Sequence, residues 1–149
     1  MATLCALMLA TLVACDRGEA TVPGPFNGDA ALGYVRTFMD FGPRVPGTDA
    51  HKRAGDWITA EMRQRADTVY EQTWTYKTQS GAEIPLRNVV ARFNPMADER
   101  ILYVTHWDSR PVAEKSPNEA QRKMPTPGAN DGASGVGLFM ALGDVLNQA

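Results

Sequence analysis

Cysteine is scarce in this chain: among 149 residues there are only two, Cys5 and Cys15, and both precede the first charged residue, Asp16. Everything after Asp16 therefore lacks a disulfide and a thiolate metal site, so a metal there has to be held by His, Asp or Glu. An excess of one charge is also missing. Fifteen basic against seventeen acidic side chains leave a formal net charge of −2. No large positive field is available to draw a polyanion, which excludes nucleic acid as an expected partner. No apolar run approaches the roughly 20 residues needed to cross a bilayer as a helix. What is present is globular: 44% hydrophobic and 21% charged residues can build a core. The length suits one compact domain and not two.

Ala2 to Ala14 is almost wholly apolar and runs into Leu12-Val13-Ala14-Cys15. That run resembles the lipobox of a bacterial lipoprotein signal peptide, where a small residue precedes a cysteine lipidated on its thiol. It is short for a span and suits a signal h-region. The resemblance implies that residues 1–14 are a signal peptide, that Cys15 is the lipidation site and that residues 15–28, polar and Gly/Pro-containing, are a tether. The protein is then expected to be exported and held by a lipid anchor at the periplasmic or cell-surface face of a membrane. Residues 29–149 remain for the fold.

Within them, Ala31, Leu32, Val35, Phe38 and Met39 recur at helical spacing over 29–41, with Asn27 or Asp29 as the cap. Gly42-Pro43-Arg44-Val45-Pro46-Gly47-Thr48 is incompatible with a helix and reads as a structured loop. Thr48 or Asp49 caps a second helix over about 50–65, with Ala54, Trp57, Ile58 and Met62 facing inward. Three strand-like runs follow: 68–78, 84–93 and the short apolar Ile101 to Thr105, the last expected to be buried on both faces. Gln79-Ser80-Gly81 is a hairpin signal. A long polar loop, 110–127, leads to a final helix from Gly132 or Ala133 to about Asn147, and this loop is a candidate lid. The order suggests an α/β sheet with helices packed on it. The chain closes on a helix with no strand after it, so the expected sheet has an unfinished side and the chain reads as the N-terminal part of a longer protein.

Two segments carry chemistry. The run Ile101-Leu102-Tyr103-Val104-Thr105 delivers His106 and Asp108 at its C-terminal end, where ligands bind in open α/β sheets. Side chains two apart on an extended chain share a face, so one could hold a metal while the other orients it. Taken alone, this pattern is equally that of a hydrogen-bonded histidine at a strand end. The second segment is Gly128-Ala129-Asn130-Asp131-Gly132-Ala133-Ser134-Gly135. Small residues surround one carboxylate at the start of a helix, where the dipole favours negative charge. Simple N-capping by Asp131 or Ser134 accounts for the carboxylate but not for the small residues around it. Trp107 is a candidate substrate contact, although an aromatic beside a strand end is more often core. His51, at a helix start after the Pro/Gly loop, is expected to be exposed and without a metal role. Arg110 and Lys115 are expected to be solvated unless they meet a substrate carboxylate.

Together, His106-Trp107-Asp108 and the glycine-alanine segment around Asp131 resemble the zinc-dependent exopeptidase family that includes bacterial aminopeptidases and glutaminyl cyclases. Phe41-Gly42-Pro43-Arg44-Val45-Pro46-Gly47-Thr48 is similar to its N-terminal loop and Arg87-Asn88-Val89-Val90-Ala91 to its second strand. The run His106-Trp107-Asp108-Ser109-Arg110-Pro111 resembles the bacterial cyclases most. The resemblance implies a partial three-layer α/β/α sheet, truncated at the C-terminus. It implies zinc as cofactor, with Asp131 as ligand and His106 either a second ligand or a neighbour of the metal. Asp108 is implied as the catalytic-site residue that orients its neighbours. The implied substrate is a peptide or protein N-terminus. The implied reaction is conversion of N-terminal glutamine to pyroglutamate with loss of ammonia, or, alternatively, release of N-terminal residues. A non-catalytic lipoprotein domain on the same scaffold and a periplasmic binding module using the same cleft without metal are the further alternatives. A general acid/base Glu, a further carboxylate ligand and a late His have no match in this chain, so by itself it is expected to bind zinc poorly and to be inactive.

Overall fold

In a computed structural model, residues 24–148 are described. The expected signal peptide, Cys15 and most of the expected tether lie outside these residues. The order is α1 (Gly28–Met39), α2 (Asp49–Arg63), β1 (Thr68–Lys77), β2 (Glu83–Arg92), a 3-10 turn (Glu119–Gln121), a wide turn over Ala129–Ala133, and α3 (Ser134–Leu146). Both early helices start where their sequences offer a cap. Asn27 accepts from the Ala30 N–H at 3.0 Å, and the Thr48 hydroxyl oxygen accepts from the His51 N–H at 3.2 Å. These side chains satisfy N–H groups that the first turn leaves free.

β1 and β2 form an antiparallel hairpin in which Val69 faces Ala91, Glu71 faces Val89 and Trp74 faces Leu86. Directly opposed residues share a face. One face packs on α2: Val69, Val89 and Ala91 join the core, and Glu71 accepts from the Thr59 hydroxyl at 2.6 Å. The other face presents Tyr70, Trp74 and Tyr76, which stay exposed. The turn is the one foreseen around Gly81, where the Thr78 N–H donates to the Ala82 carbonyl at 2.9 Å.

The core lies among the three helices, where Phe38, Ala54, Ile58, Met62, Ala133, Val136 and Met140 are buried together. Phe38 meets Phe41 and Trp57 with ring centroids 6.1 and 5.6 Å apart. Beside it, the Arg65 guanidinium joins Asp144 and Glu61 at 2.7 Å and the Tyr34 hydroxyl at 2.8 Å. That network fastens the end of α2 to α1 and α3.

Two expectations need correction. The third strand does not form: among the described residues Ile101 to Thr105 belong to no helix or ladder, and Ile101, Leu102 and Val104 are 79%, 82% and 79% exposed. Among the described residues the sheet therefore has two hydrogen-bonded strands, with α2 packed on one face. A strand exists through its neighbours' hydrogen bonds, and the described residues offer this segment none. The second correction concerns His51. It is buried at 6% exposure, because its ring stacks flat on Trp107 with centroids 4.1 Å apart.

Candidate metal centre

The segment Thr105 to Ser109 and the wide turn before α3 lie far apart in sequence and touch in space. His106 and Asp108 are on one side of their segment. The imidazole Nδ1 is 3.3 Å from Asp108 Oδ1, and Nε2 is 3.0 Å from Asp131 Oδ1. The three side chains are each about half exposed, between 46% and 55%. Trp107, on the alternate side, is half-buried against the core. The His51 imidazole stacks on its ring, and the Arg87 guanidinium stands 5.9 Å from the centroid of that ring. Burial pushes the His51 pKa down from its ordinary value, an effect reinforced by Arg87 and opposed by Asp108.

The backbone explains why Asp131 points to His106 and not into the helix. Gly128 has φ +71° and Gly132 φ +102°, both in the region that favours glycine. Between them Asp131 itself is non-helical, at φ −89° and ψ 90°. The first residue flanking α3 is Ala133, and no side chain caps that helix. Ser134 donates its hydroxyl to the Asn130 carbonyl at 2.6 Å. N-capping, the simpler explanation for Asp131, therefore does not describe what its carboxylate does. Gly132 also lets the two segments meet: a methyl group there would stand 2.8 Å from the Asp108 carbonyl oxygen and 3.2 Å from His106 Cε1.

Two residues reach this place that sequence reasoning did not put there. Arg110, expected to be solvated, has Nε 3.9 Å from Asp131 Oδ2 and Nη1 2.9 Å from Glu114. Arg44, in the Pro/Gly loop, is completely buried beneath both segments. A charge inside a loop that cannot be helical, and the likeness of that loop to the family's N-terminal loop, were the available signals, and neither says where the loop folds. The long loop is closed on itself, with the Ala113 N–H bonded to the Met124 carbonyl at 2.8 Å and the Thr126 N–H to the Arg110 carbonyl at 3.0 Å. Lys115, the other candidate for a substrate carboxylate, lies in that loop.

The donor set suits a divalent cation of zinc's type. Two ligands about 2 Å from one tetrahedral metal lie a little over 3 Å apart, and an imidazole nitrogen with a carboxylate oxygen is a common pair. His106 Nε2 and Asp131 Oδ1, 3.0 Å apart, are close to that separation. Hydrogen bonding of Nδ1 to Asp108 selects the tautomer that leaves Nε2 available. Among the described residues no group of three or more such side chains comes together to hold a metal ion, so the pair is a partial site.

Comparison with known proteins follows the same outline. Residues 88–149 match peptidase family M28. A probable zinc metalloprotease of Pyrenophora teres f. teres is 33% identical over 144 residues, covering 90% of this chain and 27% of that protein. The glutaminyl cyclase of Porphyromonas gingivalis superposes with a TM-score of 0.78 at 40% identity, over 83% of this chain and 43% of that one. A Zn-dependent exopeptidase from Parabacteroides distasonis gives a TM-score of 0.79 at 37% identity, over 84% and 43%. The mixed helix-and-strand fold is that of these proteins, and the chain spans less than half the length of each solved structure.

Proposed function

We propose, from the premise that residues 88–149 belong to peptidase family M28, that this chain is the N-terminal part of a zinc-dependent glutaminyl-peptide cyclotransferase. The observation that carries the reading is the 3.0 Å approach of His106 Nε2 to the Asp131 carboxylate. It occurs at the C-terminal end of an apolar segment, in a chain 40% identical to a glutaminyl cyclase over most of its length. Bound zinc would supply Lewis-acid polarisation of a carbonyl oxygen. The chain's own residues prepare for it. Asp131 and His106 offer the donors, and Asp108 fixes the orientation and tautomer of the imidazole. Arg110 places a positive charge beside the second oxygen of Asp131. The substrate class is a peptide or protein N-terminus carrying glutamine, and the product is the pyroglutamyl peptide plus ammonia.

Aminopeptidase activity is the second reading, favoured by the equal likeness to a Zn-dependent exopeptidase. Export and lipid anchoring at Cys15 belong to the same proposal and rest on Leu12-Val13-Ala14-Cys15. The test uses the full-length protein. Zinc content per molecule is measured with ammonia release from a glutaminyl peptide and amino-acid release from an aminoacyl anilide. One zinc with ammonia release supports the cyclase, and two with amino-acid release support the peptidase. Asp131→Ala is expected to lose bound zinc and to lower kcat/KM at least about a hundredfold, as removal of a catalytic-metal ligand does. Unchanged turnover in that variant refutes the site.

A further inference from the structure

We infer that Arg44 is a positioning residue for this centre: its guanidinium locks the backbone that carries His106 to the backbone that carries Asp131. The inference rests on the reading of the site given above. Arg44 is 0% exposed. Its contacts are carbonyl groups rather than a carboxylate. Nη1 donates to the carbonyls of Gly42 and Pro127 and Nη2 to that of Gly128, each at 2.9 Å, while Nε reaches the Trp107 carbonyl at 3.4 Å. Nη1 also lies 3.6 Å from the Met39 sulfur, and the guanidinium stands over the Phe38 ring at 4.8 Å. From its own backbone, the Arg44 carbonyl accepts from the Ser109 N–H at 3.1 Å.

This set of partners argues for registry. A buried cation is costly unless its donors are filled. A neighbouring carboxylate is the usual way to compensate it. Here the donors go instead to Trp107, immediately after His106, and to Pro127 and Gly128, just ahead of Asp131. Among the described residues neither segment lies in a strand ladder, and these bonds with the Ser109–Arg44 bond tie the two together, alongside the stacking of Trp107 on His51 and the run of the second segment into α3. Burial lowers the Arg44 pKa and Asp108 opposes that shift, so the charge also lies within the field of the site. Gly128 is shaped to the same end, because a methyl group there would come 2.8 Å from Arg44 Nη2. Only a planar fork with donors on all three nitrogens can span these carbonyls. A lysine places one point charge and reaches one segment.

The test compares full-length wild type with Arg44→Lys, Arg44→Met and a core truncation that removes none of the Arg44 bonds, Ile58→Ala, as the control for lost stability. All are assayed where each is folded by near-ultraviolet circular dichroism. Zinc affinity is read by chelator competition, kcat and KM separately, and hydrogen exchange at the Ser109 and Ala133 amides on the metal-free proteins. Both Arg44 variants are expected to bind zinc about tenfold more weakly or worse. Their kcat should fall with KM little changed, and both amides should exchange faster. Ile58→Ala should keep zinc affinity and kcat. An Arg44→Lys protein with wild-type zinc affinity and kcat overturns the inference, as does an Ile58→Ala protein that loses both equally. If wild type binds no zinc, the functional reading fails separately. Hydrogen exchange then decides on the clamp: faster exchange in Arg44→Lys supports it and unchanged exchange overturns it.

Discussion

A carboxylate at a helix start ordinarily turns back to accept from the free N–H groups of the first turn. Asp131 is prevented from doing so by the left-handed backbone of Gly132, which swings it toward His106 before α3 begins. The neighbouring Trp107 shows the opposite outcome of strand-like alternation. Its ring goes inward and draws His51 out of solvent. A histidine buried as the neutral form makes stability depend on pH with a definite sign. Its folded-state pKa is lowered, so the unfolded chain takes up the proton first. Stability is complete above the ordinary histidine value of about 6.5 and is lost as pH falls from there through the lowered folded value. The urea midpoint of the wild type is therefore expected to fall more than that of His51→Gln between pH about 7.5 and about 5. Parallel profiles for the two proteins would refute this origin.

At the scale of elements, helices were readable from spacing and caps, and the hairpin from Gln79-Ser80-Gly81. The joints between elements were not. Arg65, two residues past the end of α2, continues no apolar stripe, yet its side chain is 9% exposed and bonded to Glu61, Asp144 and Tyr34. Burial and the Asp144 hydrogen bond push the Tyr34 pKa up, while Arg65 pulls it down. Replacing Arg65 by Met is expected to destabilise the fold by about 1–3 kcal/mol, since it leaves Asp144 and the Tyr34 hydroxyl without their cation. Urea unfolding of the variant measures this directly. A loss under half of that range would mean that water replaces the guanidinium at no cost.

For the molecule as a whole, apolar residues expected to be deeply buried are among the most exposed. Ile101, Leu102, Tyr103 and Val104 are adjacent, so they cover both sides of their segment, and each is at least 61% exposed. Patches of this kind bind other apolar surfaces. The 149-residue chain produced by itself is expected to enhance the fluorescence of an apolar dye. Leu102→Lys combined with Val104→Lys is expected to reduce that signal by more than half of its value, on the view that the segment forms most of the patch. Equal dye binding by the two proteins would place the exposed surface elsewhere, on the hairpin face of Trp74 and Tyr76.

The sequence by itself determined what depends on near neighbours: the helices, their caps, the hairpin, and the two short motifs that set His106 and Asp131 apart as metal-binding candidates. It also marked the apolar strand-like run ahead of His106, because hydrophobicity is local even when pairing is not. Tertiary structure alone decided that His106 and Asp131 meet, that Asp131 leaves its helix uncapped, that His51 is buried and that Arg44 lies beneath both segments. It also decided that Ile101 to Thr105 has, among the described residues, no partner to make it a strand. These outcomes depend on contacts between residues distant along the chain, such as Arg44 with Trp107 and Gly128. No pattern of neighbouring residues encodes such a contact, because hydrogen bonding and burial there are set by whatever the folded chain brings alongside.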